Sequence, residues 1–427
     1  MSKTKSIFLA ILLFIISAIL LLQIDDDLDP QAQSMYEQTM AHKQSEAYLY
    51  LLGIEAAADE KPEVVGKSLM ASVREAEKKY FAHPHANQGF EYDGYPSDKK
   101  LPLPELSSCK AEVNNCEYVD KLLAYQFDLE ALPEEQKVLL KRYKKIIVMR
   151  DFHTLSLPHI YTVFPPFQYV MKGNSLASLE ALAIAKSGNI KKAKKLLRDD
   201  ILALRVHLQQ ADTLIGKMIY ASAISKTLDV LSVLIHKYNS PAEDTIQAFT
   251  SEEKSLVKAM NYEYGFNHNL MKSLDKAPNL FHENGNLPGW VSRLLFKPNM
   301  TMNTIFSSMK QVGKDSLLTS KAFALKVTND KPISKKTSYL RNYTGTVLGQ
   351  IVGPDFNQYI ERVFYLDAKI HLFNKTSSKI KLPTTMSHII NPFDTNKTAY
   401  YSEDNKAICI DGPLPFKRKE DRCLRIR

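Results

Sequence analysis

Two histidines flank a proline in His83-Pro84-His85, and Glu91 and Asp93 follow closely. Imidazole and carboxylate are residue types that could ligate a divalent cation. The intervening proline does not direct the two rings to one point, so the segment reads first as a solvated loop. Asp151-Phe152-His153 with His159 offers an acid–base pair, yet no serine or cysteine stands in a nucleophile-elbow setting and Gly-x-Ser-x-Gly is absent. The adjacent carboxylates Glu134-Glu135, Asp199-Asp200 and Glu252-Glu253 would point about 100° apart on a helix and could not flank one glycosidic bond. They read as helix starts or solvated faces. None of these patterns amounts to a catalytic residue, a cofactor site or a metal site.

The four cysteines form two sequence-local pairs, Cys109 with Cys116 and Cys409 with Cys423. Four cysteines allow three connectivities, and local pairing is favoured because short loops close without rearranging a domain. Neither pair has zinc-knuckle spacing, so disulfides in an oxidising compartment are the expectation.

The elements that would carry these residues follow from composition. The 427 residues hold 56 Lys+Arg against 47 Asp+Glu, a net charge of +9, with 44% apolar residues and only 15 glycines. That balance describes a folded globular chain and excludes disorder, collagen and a polytopic membrane bundle. Scarce glycine argues against folds built on glycine-rich phosphate loops and against a glycine-punctuated β architecture. Helix is the expectation.

Ile7 to Ile24 is apolar except for Ser17 and Gln23. As a helix it would span about 27 Å, close to the roughly 30 Å hydrocarbon core of a bilayer. No small-residue cleavage site precedes Asp25, so the reading is an uncleaved anchor. Lys3 and Lys5 lie before it, and Asp25, Asp26, Asp27 and Asp29 after it, which places the N-terminus in the cytoplasm and the remainder outside. The expected organisation is a cytoplasmic tip at 1–6, a transmembrane anchor at 7–24, a helical exported domain at 25–330, and a C-terminal helix with an irregular or β tail at 331–427.

Within the exported part, Gln31 to Tyr80 reads as two helices separated near Asp59-Glu60-Lys61-Pro62. A long loop runs from Ala82 to Ser108, and helical periodicity resumes from Glu117 to Met149 with a start at Pro133. Ser175 to Tyr238 contains only two glycines and no proline, and repeats apolar residues at helical spacing. Gly188-Asn189-Ile190-Lys191-Lys192-Ala193 resembles the turn and second helix of a tetratricopeptide hairpin over about 30 residues, without a second copy at that period. Ser251 is expected to cap the next helix, Asn299 or Thr301 a helix over Thr301 to Met309, and Gln358 to Phe373 forms one more. Asn329 to Lys336 reads as a polar link. Short alternating runs at Ile380–Leu382 and Ala407–Ile410 predict a small β tail.

Several of these features together resemble uncharacterised single-span, membrane-anchored envelope proteins of Gram-negative bacteria. The residues that carry the resemblance are the anchor, Cys109-x₆-Cys116, Leu214-Ile215-x-Lys217-Met218, Lys297-Pro298-Asn299-Met300-Thr301-Met302-Asn303, and Asn342-x₂-Gly345 followed by Tyr359, Arg362 and Asp367. The resemblance implies an inner-membrane location and a helical periplasmic fold, and supplies no catalytic residue. The expected role is a periplasmic binding or assembly module, with the bilayer held through residues 7–24 and an envelope protein as partner. Two alternatives stand beside it: an envelope hydrolase with a site near the 82–108 loop, and a structural subunit of a membrane complex. His83, His85, Trp290 and the basic residues Lys417, Arg418 and Lys419 are the expected partner or ligand surface; nucleic acid is not an expected partner outside the cytoplasm.

Overall fold

The computed structural model describes residues 3–41, 43–82, 90–105, 118–125, 127–128, 130–242, 245–276, 293–329, 339–351, 355–377, 386, 388–414 and 419–427. It is mainly helical, with one three-stranded sheet near the C-terminus. The first half carries α1 (Lys3–Gln23), α2 (Pro30–Met40), α3 (Glu46–Leu52), α4 (Pro62–Ala82), α5 (Tyr118–Ala124), α6 (Glu134–Ile146), α7 (Gln168–Lys186) and α8 (Ile190–Gln210). The second carries α9 (Leu214–Lys237), α10 (Ser251–Lys254), α11 (Val257–Lys276), α12 (Pro298–Asp315), α13 (Ser320–Asn329), α14 (Tyr339–Ile351) and α15 (Asn357–Thr376). The strands are β1 (Tyr400–Ser402), β2 (Ala407–Cys409) and β3 (Cys423–Arg425), antiparallel in that order.

The centre of the fold is the run α7, α8, α9, whose members pack on one another. Gly188 closes the first turn at φ +95°, a left-handed conformation that a side chain rarely adopts. Asn189 then caps α8 by accepting from the Lys192 amide at 3.1 Å, and Thr213 caps α9 by accepting from the Gly216 amide at 3.2 Å. α9 is long and apolar enough to cross a membrane, but most of it is buried inside the domain and it lies mid-chain. Its Lys217 is fully enclosed and donates to the Leu208 carbonyl at 2.9 Å, and burial pushes its ammonium down to about 7.

A buried polar knot joins α6 to α9. The Asp200 carboxylate accepts from the Tyr143 hydroxyl at 2.8 Å and from the Asn174 amide at 3.0 Å, and Asn174 also donates to Thr227 at 2.8 Å. Arg142, also buried, donates to the carbonyls of Ile54, Ala56, Ala57 and Glu60, fastening the α3–α4 turn to α6. On the other side of α8, Arg205 grips Glu253 through two bonds of 2.6 and 2.7 Å and also donates to the Gln247 and Ala248 carbonyls.

At the C-terminus, Cys409 and Cys423 face each other across β2 and β3 and are joined by a disulfide, as local pairing predicts. Lys369 of α15 donates to Asp229 of α9 at 2.6 Å, and the other oxygen of Asp229 accepts from the Arg425 amide at 3.0 Å. Arg425 in turn pairs with Asp120 of α5. The sheet is therefore pinned to the helical core, and one hydrophobic cluster runs from Ala32 to Ile426.

Several expected boundaries move. The helix expected before Asp59 is two helices, because Ala41 is extended and Ser45 caps α3 afresh by accepting from the Tyr48 amide at 2.9 Å. The cap of α10 is Thr250 and not Ser251, in a reciprocal capping box with Glu253. The helix expected over Thr301 to Met309 runs the full length of α12, capped by neither Asn299 nor Thr301. α13 and α14 were not anticipated. Ile380–Leu382 and residues 330–336 of the polar link lie outside the described residues.

Candidate functional site

Most of the residues expected to carry a function lie outside the described residues. His83, His85, Cys109, Cys116, Trp290, Lys417 and Arg418 lie outside the described residues, and Lys419 opens a 3₁₀ turn that leads into β3. At and after that turn the basic tail is part of the fold: Arg422 lies over the Tyr365 ring and Arg425 pairs with Asp120. Asp151 and His159 do not meet as an acid–base pair. Asp151 accepts from the Glu46 and Ala47 amides at 2.6 and 3.2 Å and so braces the start of α3, while His159 is buried among Tyr80, Phe81 and Phe90 with Glu77 at 3.6 Å. Among the described residues no group of three or more His, Cys, Asp or Glu could hold a metal ion.

The structure instead builds a site where α1 joins the domain. α1 is a helix with its apolar surface uncovered: Phe14 is 75% exposed and Leu20 62%. The acidic segment that follows is bound along its length. Asp25 accepts from the Asn299 and Met300 amides at 2.8 and 3.1 Å, supplying from a distance the cap that the start of α12 lacks locally. The Asn299 side chain donates to the Asp26 carbonyl at 2.9 Å, and Asn303 donates to the Asp27 carbonyl at 2.9 Å while accepting from the Asp29 amide at 2.8 Å. Asp29 then caps α2, accepting from the Gln31 amide at 2.7 Å. Arg341 of α14 donates to the Ile24 carbonyl at 2.7 Å and to Asp26 at 3.0 Å.

A second layer holds the first. The Asn342 side chain accepts from the Lys297 amide at 2.8 Å and donates to the Thr301 hydroxyl at 2.9 Å, tying α14 to the first turn of α12. Gly345 faces both groups so closely that a β-carbon there would collide with them. Thus the two short motifs at 297–303 and 342–345 meet in space, and what they grip is the segment leaving α1.

Beside this joint lies a cavity of about 870 Å³, lined by Gln23, Asp25, Lys272, Asp275, Lys276, Arg293, Leu294, Phe296, Lys297, Pro298 and Asn299. Lys297 is only 3% exposed. Its Nζ donates to the Leu294 carbonyl at 2.8 Å, the Gln23 side chain at 3.2 Å and, weakly, the Phe296 carbonyl at 3.5 Å. Burial pushes its ammonium below the usual lysine range, with Asp25 acting in the opposite sense. Lys272 and Lys276 reach the same space from the last turns of α11, and Arg293 lies 4.0 Å from Asp275. Such a set can bind and orient an anion. Sequence reasoning missed it because its parts come from three distant segments, although a helix opening at Pro298 with lysine before it signals an end that must be satisfied from elsewhere.

Comparison with family models, with curated proteins and with solved structures finds no match to this chain.

Proposed function

We propose that the chain is a single-span protein of a bacterial envelope, with α1 in the inner membrane and the helical domain held against its periplasmic face as a binding or assembly module. The observation that carries this reading is the joint itself. An uncovered apolar helix ends in a segment whose backbone and carboxylates are engaged by α12 and α14, so the domain is held at a fixed attitude to α1 and not hung on a flexible tether. A domain that only needed to be near a membrane would not require such a fixing. Two other features support the reading. Leu340, beside Arg341, is 83% exposed, which fits a face turned to an apolar surface. The Cys409–Cys423 disulfide fits an oxidising compartment.

The test is a pair of measurements on the full-length protein in a Gram-negative host. Alkaline phosphatase fused after Asp29 becomes active only if that point is exported, and carbonate washing of membranes leaves an anchored protein in the pellet. An inactive fusion, or release by carbonate, overturns the reading. In-cell crosslinking with mass spectrometry then identifies the partner that an assembly module requires.

A further inference from the structure

The cavity at the end of α1 gathers more positive charge than negative, with Lys272, Lys276, Arg293 and Lys297 on its wall against Asp25 and Asp275. Lys297 is buried, yet among the described residues no carboxylate lies within ion-pairing distance of its Nζ; all three of its acceptors are neutral. Lys272 and Lys276, both exposed, likewise have no carboxylate within ion-pairing distance among the described residues: Lys272 sits over the Tyr36 ring at 5.1 Å, and the two lysines repel one another. The two carboxylates on the wall are already engaged, Asp25 by the α12 amides and Asp275 by Arg293. A buried ammonium with no carboxylate in direct contact is costly, and an anion in the adjoining space would offset that cost.

The position of the cavity narrows the anion. Gln23, the last residue of α1, forms part of the wall and binds Lys297 directly. If α1 crosses the bilayer, the cavity opens at the depth where phospholipid phosphates lie, beside an apolar helix able to receive acyl chains. The geometry points to this cavity as the seat of the phosphate of an anionic phospholipid headgroup, held by Lys297, Lys272 and Lys276, an assignment that rests on the membrane-anchor reading above. A volume of about 870 Å³ accommodates a glycerophosphate headgroup and exceeds what inorganic phosphate fills. A zwitterionic headgroup brings its own cation and would meet repulsion from the three lysines.

The experiment uses the full-length protein in nonionic detergent, titrated with dihexanoyl phosphatidylglycerol, dihexanoyl phosphatidylcholine or inorganic phosphate. Thermal unfolding and native mass spectrometry are the readouts. Phosphatidylglycerol should raise the unfolding midpoint and remain bound as one copy, while phosphatidylcholine does neither. Lys272→Gln and Lys276→Gln, both at exposed side chains, should each weaken that binding about fivefold, and Lys297→Met at least as much. Equal binding by all three variants overturns the site, and an equal shift with inorganic phosphate overturns the lipid assignment in favour of a soluble phosphate. Because these short-chain lipids dissolve without a bilayer, the lysine dependence is scored whatever carbonate washing shows. Release by carbonate brings down the anchor reading, whereas unchanged binding in the lysine variants brings down this one alone.

Discussion

Asp25 and Asn299 stand 274 residues apart in sequence and are joined by a 2.8 Å hydrogen bond from the Asn299 amide to the Asp25 carboxylate. The bond does for α12 what a Ser or Asp just before the helix would ordinarily do, and it simultaneously fixes the direction in which the chain leaves α1. Removing the carboxylate leaves two helix-start amides without an acceptor. Asp25→Ala should therefore destabilise the domain by about 1–2 kcal/mol, and Asp25→Asn by less, because the amide oxygen still accepts. Chemical unfolding of the full-length protein in detergent measures both. A stability unchanged in Asp25→Ala would mean that the cap contributes nothing.

That bond also shows why some of the molecule was legible in its sequence and some was not. α8 and α9 are readable because their caps, Asn189 and Thr213, sit next to the helices they start and their apolar residues recur at helical spacing. The joint at α1 is built from groups more than 270 residues apart, so no local window contains both donor and acceptor. Lys297 shows the same limit. In sequence it reads as a polar residue before a proline, and only the approach of Gln23 and Asn342 encloses it. α13 and α14 escaped for another reason: α13 buries few residues, among them Phe323 and Ala324, and α14 is broken at Asn342, where the backbone turns non-helical to reach Lys297 and Thr301. The Cys409–Cys423 pairing, by contrast, was legible from proximity alone.

The disulfide itself should contribute measurably. It closes a loop with a sequence separation of 14, for which loss of unfolded-chain entropy amounts to about 3 kcal/mol. Cys423→Ala should lower stability by about that amount, and reductant should do the same to the native protein. Coincident unfolding curves for oxidised and reduced protein would show that the disulfide adds nothing to the strand pairing, the apolar packing and the Lys369–Asp229 and Arg425–Asp120 contacts that hold β2 and β3.

Arg205 and Glu253 test the fastening on the other side of α8. Both are buried, and Glu253 also accepts from the Thr250 amide at 2.7 Å, so one carboxylate serves an ion pair and a helix cap. Arg205→Met strands that carboxylate in a low-polarity setting and should cost about 3–5 kcal/mol. In the double variant with Glu253→Met no unpaired charge remains, and part of the loss should return. Urea unfolding of the four proteins completes the cycle; additive losses would show that the pair is not coupled.

Asp200 gives a pH dependence whose sign follows from its burial. Desolvation raises its carboxyl to about 6, against the bonds from Tyr143, Thr227 and Asn174 that favour the charged form. The unfolded chain releases this proton near the ordinary aspartate value of about 4, whereas the folded protein keeps it until about 6. Between these values the folded state holds the extra proton, so this group's contribution to stability is fully present below about pH 4 and is lost as the pH rises through 6. The full fall is on the order of 3 kcal/mol for this one group. Asn at this position cannot titrate, so the stability of the native protein minus that of Asp200→Asn should decline across this window and level off above it. Other buried acids, such as Glu263, which burial raises to about 7, contribute to both proteins and leave the difference. A difference that is flat with pH would place the Asp200 carboxyl at its ordinary value and make the knot between α6 and α9 a set of charged-group hydrogen bonds at every pH from 4 to 7.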